Sequence, residues 1–250
     1  MTSDWRIIDG ESYSEPMHHA IDQTLTERLA AGDSPPTLRF WYRDAPAVPL
    51  GRFQAYHNEV DDAYVQDHNI DVVRRITGGG AMFVEPGKVI TYSVYLPRDA
   101  VSADIEASYA ELDQWAIDAL NGLGLAVEHE PLNDIVHREG KIGGSAQLRK
   151  GDAVLHHTTM SYDLDTREMM RVLRFGEEKI SDKAVQSAEQ RVARIADHVD
   201  RSRSEVIAAL RSAFESAYGG ATGSLTAAEL DSARQLADEK FSSAAWNQKL

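Results

Sequence analysis

Arg74-Arg75-Ile76-Thr77-Gly78-Gly79-Gly80-Ala81-Met82-Phe83 is the stretch from which the rest of the chain can be read. Three successive glycines let a ligand approach the backbone closely and leave amide N–H groups free to point at an anion. The paired arginines upstream read as mobile positive charge beside that loop. Taken alone, a triple glycine is most often a tight turn between strands. The stretch lacks the Gly-Lys-Ser/Thr ending of a P-loop, and no helix signal follows the glycines as the dinucleotide fingerprint requires. Whatever binds here is therefore held on strands.

Working outward, a β-like run from Ile70 to Arg75 feeds the loop, and strict alternation resumes after it. Ile90, Tyr92, Val94 and Leu96 fall on one face, Val89, Thr91, Ser93 and Tyr95 on the other, as in a sheet strand. Two more runs, Thr37 to Arg43 and Val48 to Phe53, flank Asp44-Ala45-Pro46. Short strands are expected at Leu125–Glu128, Asp134–His137, Ile142–Leu148 and Val154–Tyr162, with turns at Glu139-Gly140 and Lys150-Gly151-Asp152. Such hairpins imply largely antiparallel pairing. A first helix over Glu15–Ala31 carries Met17, Ile21, Leu25 and Leu29 as one apolar stripe. A second should start near Ser102, turn Ile105, Leu112, Ala116, Ala119 and Leu120 inward, and end at Gly122. Capping boxes, Ser202 with Glu205 and Thr226 with Glu229, open two C-terminal helices, the first ending at Gly219-Gly220. The expected organisation is one catalytic domain over 1–250, with 225–250 as its helical tail.

Composition narrows the chemistry. The 250 residues contain no cysteine, which excludes disulfides, thiolate metal sites and any enzyme-bound thioester. A formal charge of −14, from 40 acidic and 26 basic side chains, argues against a nucleic-acid partner. It also fits a surface adapted to high salt. No apolar run is long enough to span a bilayer and the N-terminus has no signal-like pattern, so a soluble, cytoplasmic protein with no membrane partner is expected.

Three further segments could carry chemistry. In Lys141-Ile142-Gly143-Gly144-Ser145-Ala146-Gln147, the lysine is ordinarily a solvated charge. Beside Gly143, Gly144 and Ala146 it has a groove to lie in, from which an ammonium can bridge a carboxylate and a phosphate. Asn133-Asp134 offers an amide and a carboxylate suited to Mg²⁺, or else an Asx turn. His156 and His157 are adjacent on a strand and face opposite sides, so only one can line a pocket; the alternative is a satisfied core histidine. No third histidine stands at ligand spacing to make a metal site of the pair. His18-His19 reads as the edge of the first helix rather than part of a site.

In chain order these segments resemble the lipoate-protein ligase family, part of the biotin and lipoate ligase superfamily. Pro46–Gln54 (PAVPLGRFQ) resembles its opening strand, and Arg74–Phe83 its Arg-Arg-x-Ser/Thr-Gly-Gly-Gly-Ala-x-Phe loop. Asn133-Asp134-Ile135 and Lys141–Ala146 resemble the next two motifs, and His156-His157-x-Thr159 its His-His-Gly-Thr strand. Ser187 with Arg191-Val192 resembles a later basic motif, and Lys240-Phe241 with Trp246-Asn247 the closing signature. The resemblance implies an α+β fold: a mixed, mostly antiparallel sheet flanked by helices, like the class II synthetases. It implies ATP-dependent activation of lipoate to lipoyl-AMP, then transfer to a lysine of a carrier. Lys141 would be catalytic, bridging the lipoyl carboxylate and the phosphate, with Arg75 on the phosphate and Gly80, Ala81, Met82 and Phe83 lining nucleotide and acyl chain. Gly78, Gly79, Asn133, Asp134, Gly144, Ala146, His157 and Thr159 would complete the ATP and lipoyl-AMP site, with Asp134 toward Mg²⁺.

The chain departs from that pattern at Val84-Glu85, where the family commonly has His-Asp, and at Thr158, where it commonly has Gly. Both put the acyl pocket in question. Single-chain bacterial ligases continue past the closing signature, whereas this sequence ends at Leu250. A small accessory ligase subunit is therefore expected, as in archaeal split ligases. The carrier would be a lipoyl domain of a 2-oxoacid dehydrogenase E2 or a glycine-cleavage H-type protein. Among rivals, an octanoyl or lipoyl transferase of this fold works through a cysteine thioester. A biotin ligase needs a Gly-Arg-Gly-Arg loop, and the chain has neither feature. A non-catalytic module binding lipoate or lipoyl domains fits Val84 and Thr158, but Arg75 and Lys141 speak against it.

Overall fold

The structure is a computed structural model and describes residues 5–174 and 192–250. Its strands are β1 (Arg6–Ile8), β2 (Ser12–Tyr13), β3 (Thr37–Arg43), β4 (Ala47–Leu50), β5 (Asp71–Arg74), β6 (Val89–Pro97), β7 (Val127–Glu130), β8 (Asp134–His137), β9 (Gly140–Lys150), β10 (Ala153–Ser161) and β11 (Ala221–Gly223). Its helices are α1 (Glu15–Ala30), α2 (Tyr56–Glu59), α3 (Asp62–Asp67), α4 (Ile105–Gly122), α5 (Thr166–Val172), α6 (Arg203–Tyr218), α7 (Ala227–Leu236) and α8 (Ala244–Asn247), with a π-helical turn at Ala237–Phe241.

The main sheet runs β11-β1-β3-β6-β10-β9-β8-β7, with β2 also on β3. Pairing is antiparallel from β3 through β6, β10, β9 and β8 to β7, and parallel where β1 meets β3 and β11. The expected mixed, mostly antiparallel sheet flanked by helices is thus present. A separate parallel pair, β4 with β5, carries the glycine loop.

Alternation along β6 sorts two cores. Ile90, Tyr92, Val94 and Leu96 pack with Leu112, Trp115 and Ala116 of α4 and with Val206, Leu210 and Phe214 of α6. On the opposite face Tyr95 and Leu155 meet Met17, Ile21 and Leu25 of α1, which is covered in turn by Leu225, Ala233, Ala237 and Phe241. Each buried Val, Leu, Ile, Phe or Met among them contributes about 1.5–3 kcal/mol. Both expected capping boxes are complete, and Asp104 caps α4 by accepting from Ala107 N–H.

Some expectations shift, and several short elements are unexpected. The run expected over Val48–Phe53 is a strand only from Ala47 to Leu50, because the chain turns at Gly51 beneath the glycine loop. Ile105 is 57% exposed rather than inward, since residues 103–107 at the start of α4 are all exposed. β1, β2, β11, α2, α3 and α5, of two to seven residues, are too short to show a period.

Candidate active site

The site lies on the α1 side of the sheet. Register sets His157 opposite Ala146 on β9 and Ser93 on β6, and Thr159 opposite Gly144 and Thr91. Period-two geometry therefore gives one face Arg39, Trp41 and Arg43 of β3, Thr91, Ser93 and Tyr95 of β6, and His157 and Thr159 of β10. His156 and Thr158 face the other way, hydrogen-bonded to the buried Asp113 of α4.

Facing this row, α1 turns inward not only its apolar stripe but also Glu15, His18, His19 and Asp22, all buried. Asp22 is 0% exposed and accepts hydrogen bonds from Arg39 Nη2 (2.9 Å), Ser93 Oγ (2.9 Å), Tyr95 Oη (2.5 Å) and His157 Nδ1 (2.8 Å). Burial alone would raise its carboxyl. The hydrogen bond from His157 and the charge of Arg39 outweigh that and hold Asp22 well below the usual carboxylate range. Burial is also the main force on His157, lowering it to about 4 against the opposing pull of Asp22, so its ring is neutral near pH 7. The tautomer follows: Nδ1–H donates to Asp22, and Nε2 accepts from Thr77 Oγ1 at 2.8 Å. Glu15 similarly receives Arg43 Nε at 2.6 Å and His19 Nε2 at 3.1 Å, while Arg43 Nη1 donates to Thr91 Oγ1.

Through Thr77 this network reaches the glycine loop. Thr77 Oγ1 accepts from Arg75 Nε at 3.1 Å, and the rest of the Arg75 guanidinium donates to the carbonyls of Pro49, Gly78 and Gly80. Arg74, with 0% exposure, donates to the carbonyls of Gly51, Arg52, Gln54, Trp246 and Asn247. The paired arginines are not mobile charge, as the sequence suggested, but fixed braces. Arg75 shapes the loop from inside, and Arg74 ties the closing Trp246-Asn247 segment to β5. A Cβ at Gly51 would sit 1.9 Å from Gly79 O, so only glycine fits under the loop. Among the described residues the amides of Gly78, Gly79, Gly80 and Ala81 have no hydrogen-bond acceptor. They form an unspent set of donors of the kind that cradles an anion.

Opposite the loop, Lys141 at the start of β9 lies across Gly144, where a Cβ would stand 3.0 Å from its Nζ. Nζ is 2.5 Å from Asp134 Oδ1, and the lysine side chain remains 46% exposed. Asn133 is fixed by donating Nδ2–H to Ser145 O at 2.5 Å. Between loop, sheet and α1 lies a cavity of about 120 Å³. Of the expected residues, Arg75, Gly79, Gly80, Ala81, Met82, Asn133, Lys141, Gly144, Ala146, His157 and Thr159 line it.

Some expectations are corrected. Phe83 is 2% exposed and packs with Val60, Leu164 and Val172 rather than lining the cavity, because consecutive extended residues alternate sides and Met82 takes the inward place. Gly78 turns its carbonyl to Arg75 and does not line the cavity, and Asp134 reaches it only through Lys141. Val84 is buried in the Phe83 cluster and Thr158 is on the back of the sheet, so neither departure from the family pattern borders the cavity. His19, Trp41, Arg43, Pro49 and Thr91 line it unforeseen. The polar residues Glu15, His19 and Asp22, at i, i+4 and i+7, form a stripe of their own on α1, which is the signal that could have found His19. Ser187 and Arg191 lie outside the described residues.

Residues 15–215 match the lipoyl protein ligase A/B catalytic domain. The chain belongs to this family. Lipoate-protein ligase A subunit 1 of Thermoplasma acidophilum is 33% identical over 246 residues, spanning 94% of this chain and 92% of that protein. A structure from a study of an archaeal lipoylation system, a bi-partite lipoate protein ligase and its E2 lipoyl domain from T. acidophilum, superposes with a TM-score of 0.89 at 30% identity, over 98% of this chain and 96% of that one. A lipoate-protein ligase A bound with ATP superposes with a TM-score of 0.85 at 29% identity, covering 98% of each chain. The chain is also similar to an octanoyltransferase of Clostridioides difficile, 26% identical over 79% of this chain and 80% of that protein.

Proposed function

We propose that this chain is the catalytic subunit of a lipoate-protein ligase, which activates lipoate with ATP and passes the lipoyl group to a lysine of a carrier domain. The observation that carries the reading is the pairing of unspent loop amides at Gly79–Ala81 with Lys141 across one cavity, in a chain without a cysteine. Adenylate formation requires no enzyme nucleophile, only alignment and stabilisation of accumulating negative charge.

In this scheme the lipoate carboxylate oxygen attacks the α-phosphorus of ATP, and pyrophosphate leaves. The amides of the glycine loop hold phosphate oxygens, and the ammonium of Lys141 bridges the carboxylate and the α-phosphate. Trp41, Pro49 and Met82 supply apolar wall for the acyl chain. The neutral amine of the carrier lysine then attacks the acyl carbon, AMP leaves, and the amine gives up its proton. Arg75 acts by holding Gly78 and Gly80 in place, so it is a positioning residue. Asp134, with one oxygen on Lys141 and its side chain 32% exposed, fits the few-carboxylate requirement of a phosphate-bound Mg²⁺, which would neutralise the leaving pyrophosphate.

We read residues 1–250 as one catalytic domain whose segment 225–250 is a helical tail, acting with a small accessory subunit in the manner of the bi-partite relative. Carriers would be lipoyl domains of E2 or glycine-cleavage H type, in the cytoplasm; no helix among the described residues is long and apolar enough to cross a membrane. The octanoyltransferase relatives favour a second reading, but an acyl-enzyme thioester has no thiol here. The test is ATP-dependent mass gain of a lipoyl-domain acceptor with lipoate and Mg²⁺, with and without the accessory chain. Lys141→Ala should slow it by about 10²–10³, the cost of removing one donor from developing charge. Equal rates for variant and wild type would remove Lys141 from the mechanism.

A further inference from the structure

Outside the cavity, His137 at the end of β8, Glu139 in the following turn and His198 after the short 3₁₀ turn Ile195–Asp197 converge, with one potential ligand atom from each lying within 4.8 Å of the others. We propose that these three residues form a site for a zinc-type divalent cation, which ties segment 192–199 to the hairpin that carries Lys141.

The donor set supports this choice of metal. Two imidazoles and one carboxylate suit Zn²⁺, with water in the fourth position, whereas Mg²⁺ demands oxygen ligands in octahedral array. The three residues come from two parts of the chain about sixty positions apart in sequence, so the convergence is tertiary. The imidazoles are tilted by 42° with ring centroids 4.1 Å apart, and His198 Nε2 is already 3.7 Å from Glu139 Oε2. Tetrahedral zinc with bonds of about 2.1 Å sets its ligand atoms about 3.4 Å apart. The His198–Glu139 pair is already close to that spacing, and the remaining closure, from at most 4.8 Å, falls on His137. Among the described residues the one hydrogen bond to the His137 ring is long, 3.4 Å from Glu139 N–H to Nδ1, so a ring nitrogen can turn to a metal at small cost. Arg138 Nη2 lies 3.6 Å from the Glu139 carboxylate on its other oxygen and leaves Oε2 to the site.

The location gives the cation a role. Val192 bridges to Lys141 in parallel register, and Ala193 N–H donates to Lys141 O at 2.9 Å. A metal at His198 therefore closes the far end of a strap whose near end is hydrogen-bonded to the backbone of Lys141. It acts as a staple on the strap, distinct from any Mg²⁺ that accompanies ATP.

The test uses the full chain after dialysis against a chelator, titrated calorimetrically with ZnCl₂ and, separately, MgCl₂. Co²⁺ absorbance reports nitrogen coordination, and circular dichroism verifies folding of each variant. The expected result is one Zn²⁺ per chain, a raised thermal midpoint and no comparable Mg²⁺ binding. Affinity should fall at least about tenfold in Glu139→Gln and be lost in His198→Gln. Glu139 is exposed and His198 partly so, and both changes keep a polar side chain of similar size, so the fold should survive. Zinc binding that is undiminished in His198→Gln, or absent from the wild-type chain, would overturn the assignment.

Discussion

Gly144→Ala isolates the placement of Lys141 from the stability of the sheet. A Cβ at 144 would stand 3.0 Å from Lys141 Nζ, 3.1 Å from its Cε and 3.5 Å from Asp134 Oδ1. The crowded atoms are the far end of a flexible side chain, so the lysine yields and the strand does not. Its ammonium is then pushed off the line between loop and sheet. Losing a charge-assisted hydrogen bond of about 1.5–3 kcal/mol corresponds to roughly a 10- to 150-fold slower adenylation. The thermal midpoint should move by no more than about 2 °C. Gly143→Ala is the mirror experiment. Its Cβ would meet Met160 Cγ at 2.7 Å and Thr159 O at 2.8 Å, core and backbone atoms of the neighbouring strand. Overpacking there costs about 1–3 kcal/mol and lowers the midpoint by several degrees. The assay is single-turnover formation of lipoyl-AMP with lipoate, ATP and the accessory chain, alongside differential scanning fluorimetry. A wild-type rate in Gly144→Ala, or a rate loss there that merely tracks lost stability, would refute the placement of Lys141.

Other consequences follow from the buried network behind the cavity. His157, held at about 4 in the fold, is protonated first in the unfolded chain as pH falls, and His18 is lowered in the same direction, chiefly by burial. Stability should therefore be full above about pH 6.5 and decline toward pH 4, by on the order of 3 kcal/mol for His157 alone. Urea midpoints from pH 7.5 to 4.5 measure this, and a flat profile would contradict it. Asp22, held low, adds stability that is lost only below that window, as its carboxyl takes up a proton. Arg74→Ala strips donors from five backbone carbonyls and should cost at least about 3 kcal/mol. Hydrogen exchange should then accelerate first in residues 244–250; unchanged protection there would show that Arg74 does not anchor the closing segment.

The parts of the fold that were legible were those with a sustained period. Nine residues of alternation put β6 in the middle of the sheet with both faces buried, and the turn residues between β8, β9 and β10 set their antiparallel order. Much of the site was legible for the same reason, since a strand fixes which neighbours share a face: Gly144 and Ala146 with Thr159 and His157. What was lost depends on tertiary cover. Met17, Ile21 and Leu25 suggest a helix with one buried side, which leaves His19 at an edge. The helix is buried on more than one side: its apolar stripe shares a cluster with Tyr95 and Leu155 of the sheet and with residues 225–241, while Glu15, His19 and Asp22 face the polar row of the sheet. Arg74 and Arg75 show the same limit. Nothing in their local sequence distinguishes a phosphate ligand from a brace; apart from Gly78 and Gly80, the carbonyls they hold come from Pro49–Gln54 and from Trp246-Asn247.

The central claim is that acyl activation proceeds through a bound adenylate and never through the protein itself. Intact-mass analysis of the enzyme with lipoate, ATP and Mg²⁺, followed by small-molecule detection after denaturation, tests it most directly. The account predicts lipoyl-AMP released on denaturation, with the protein mass unchanged. A protein that gains an acyl group, or that moves an acyl chain between carriers without ATP, would contradict it.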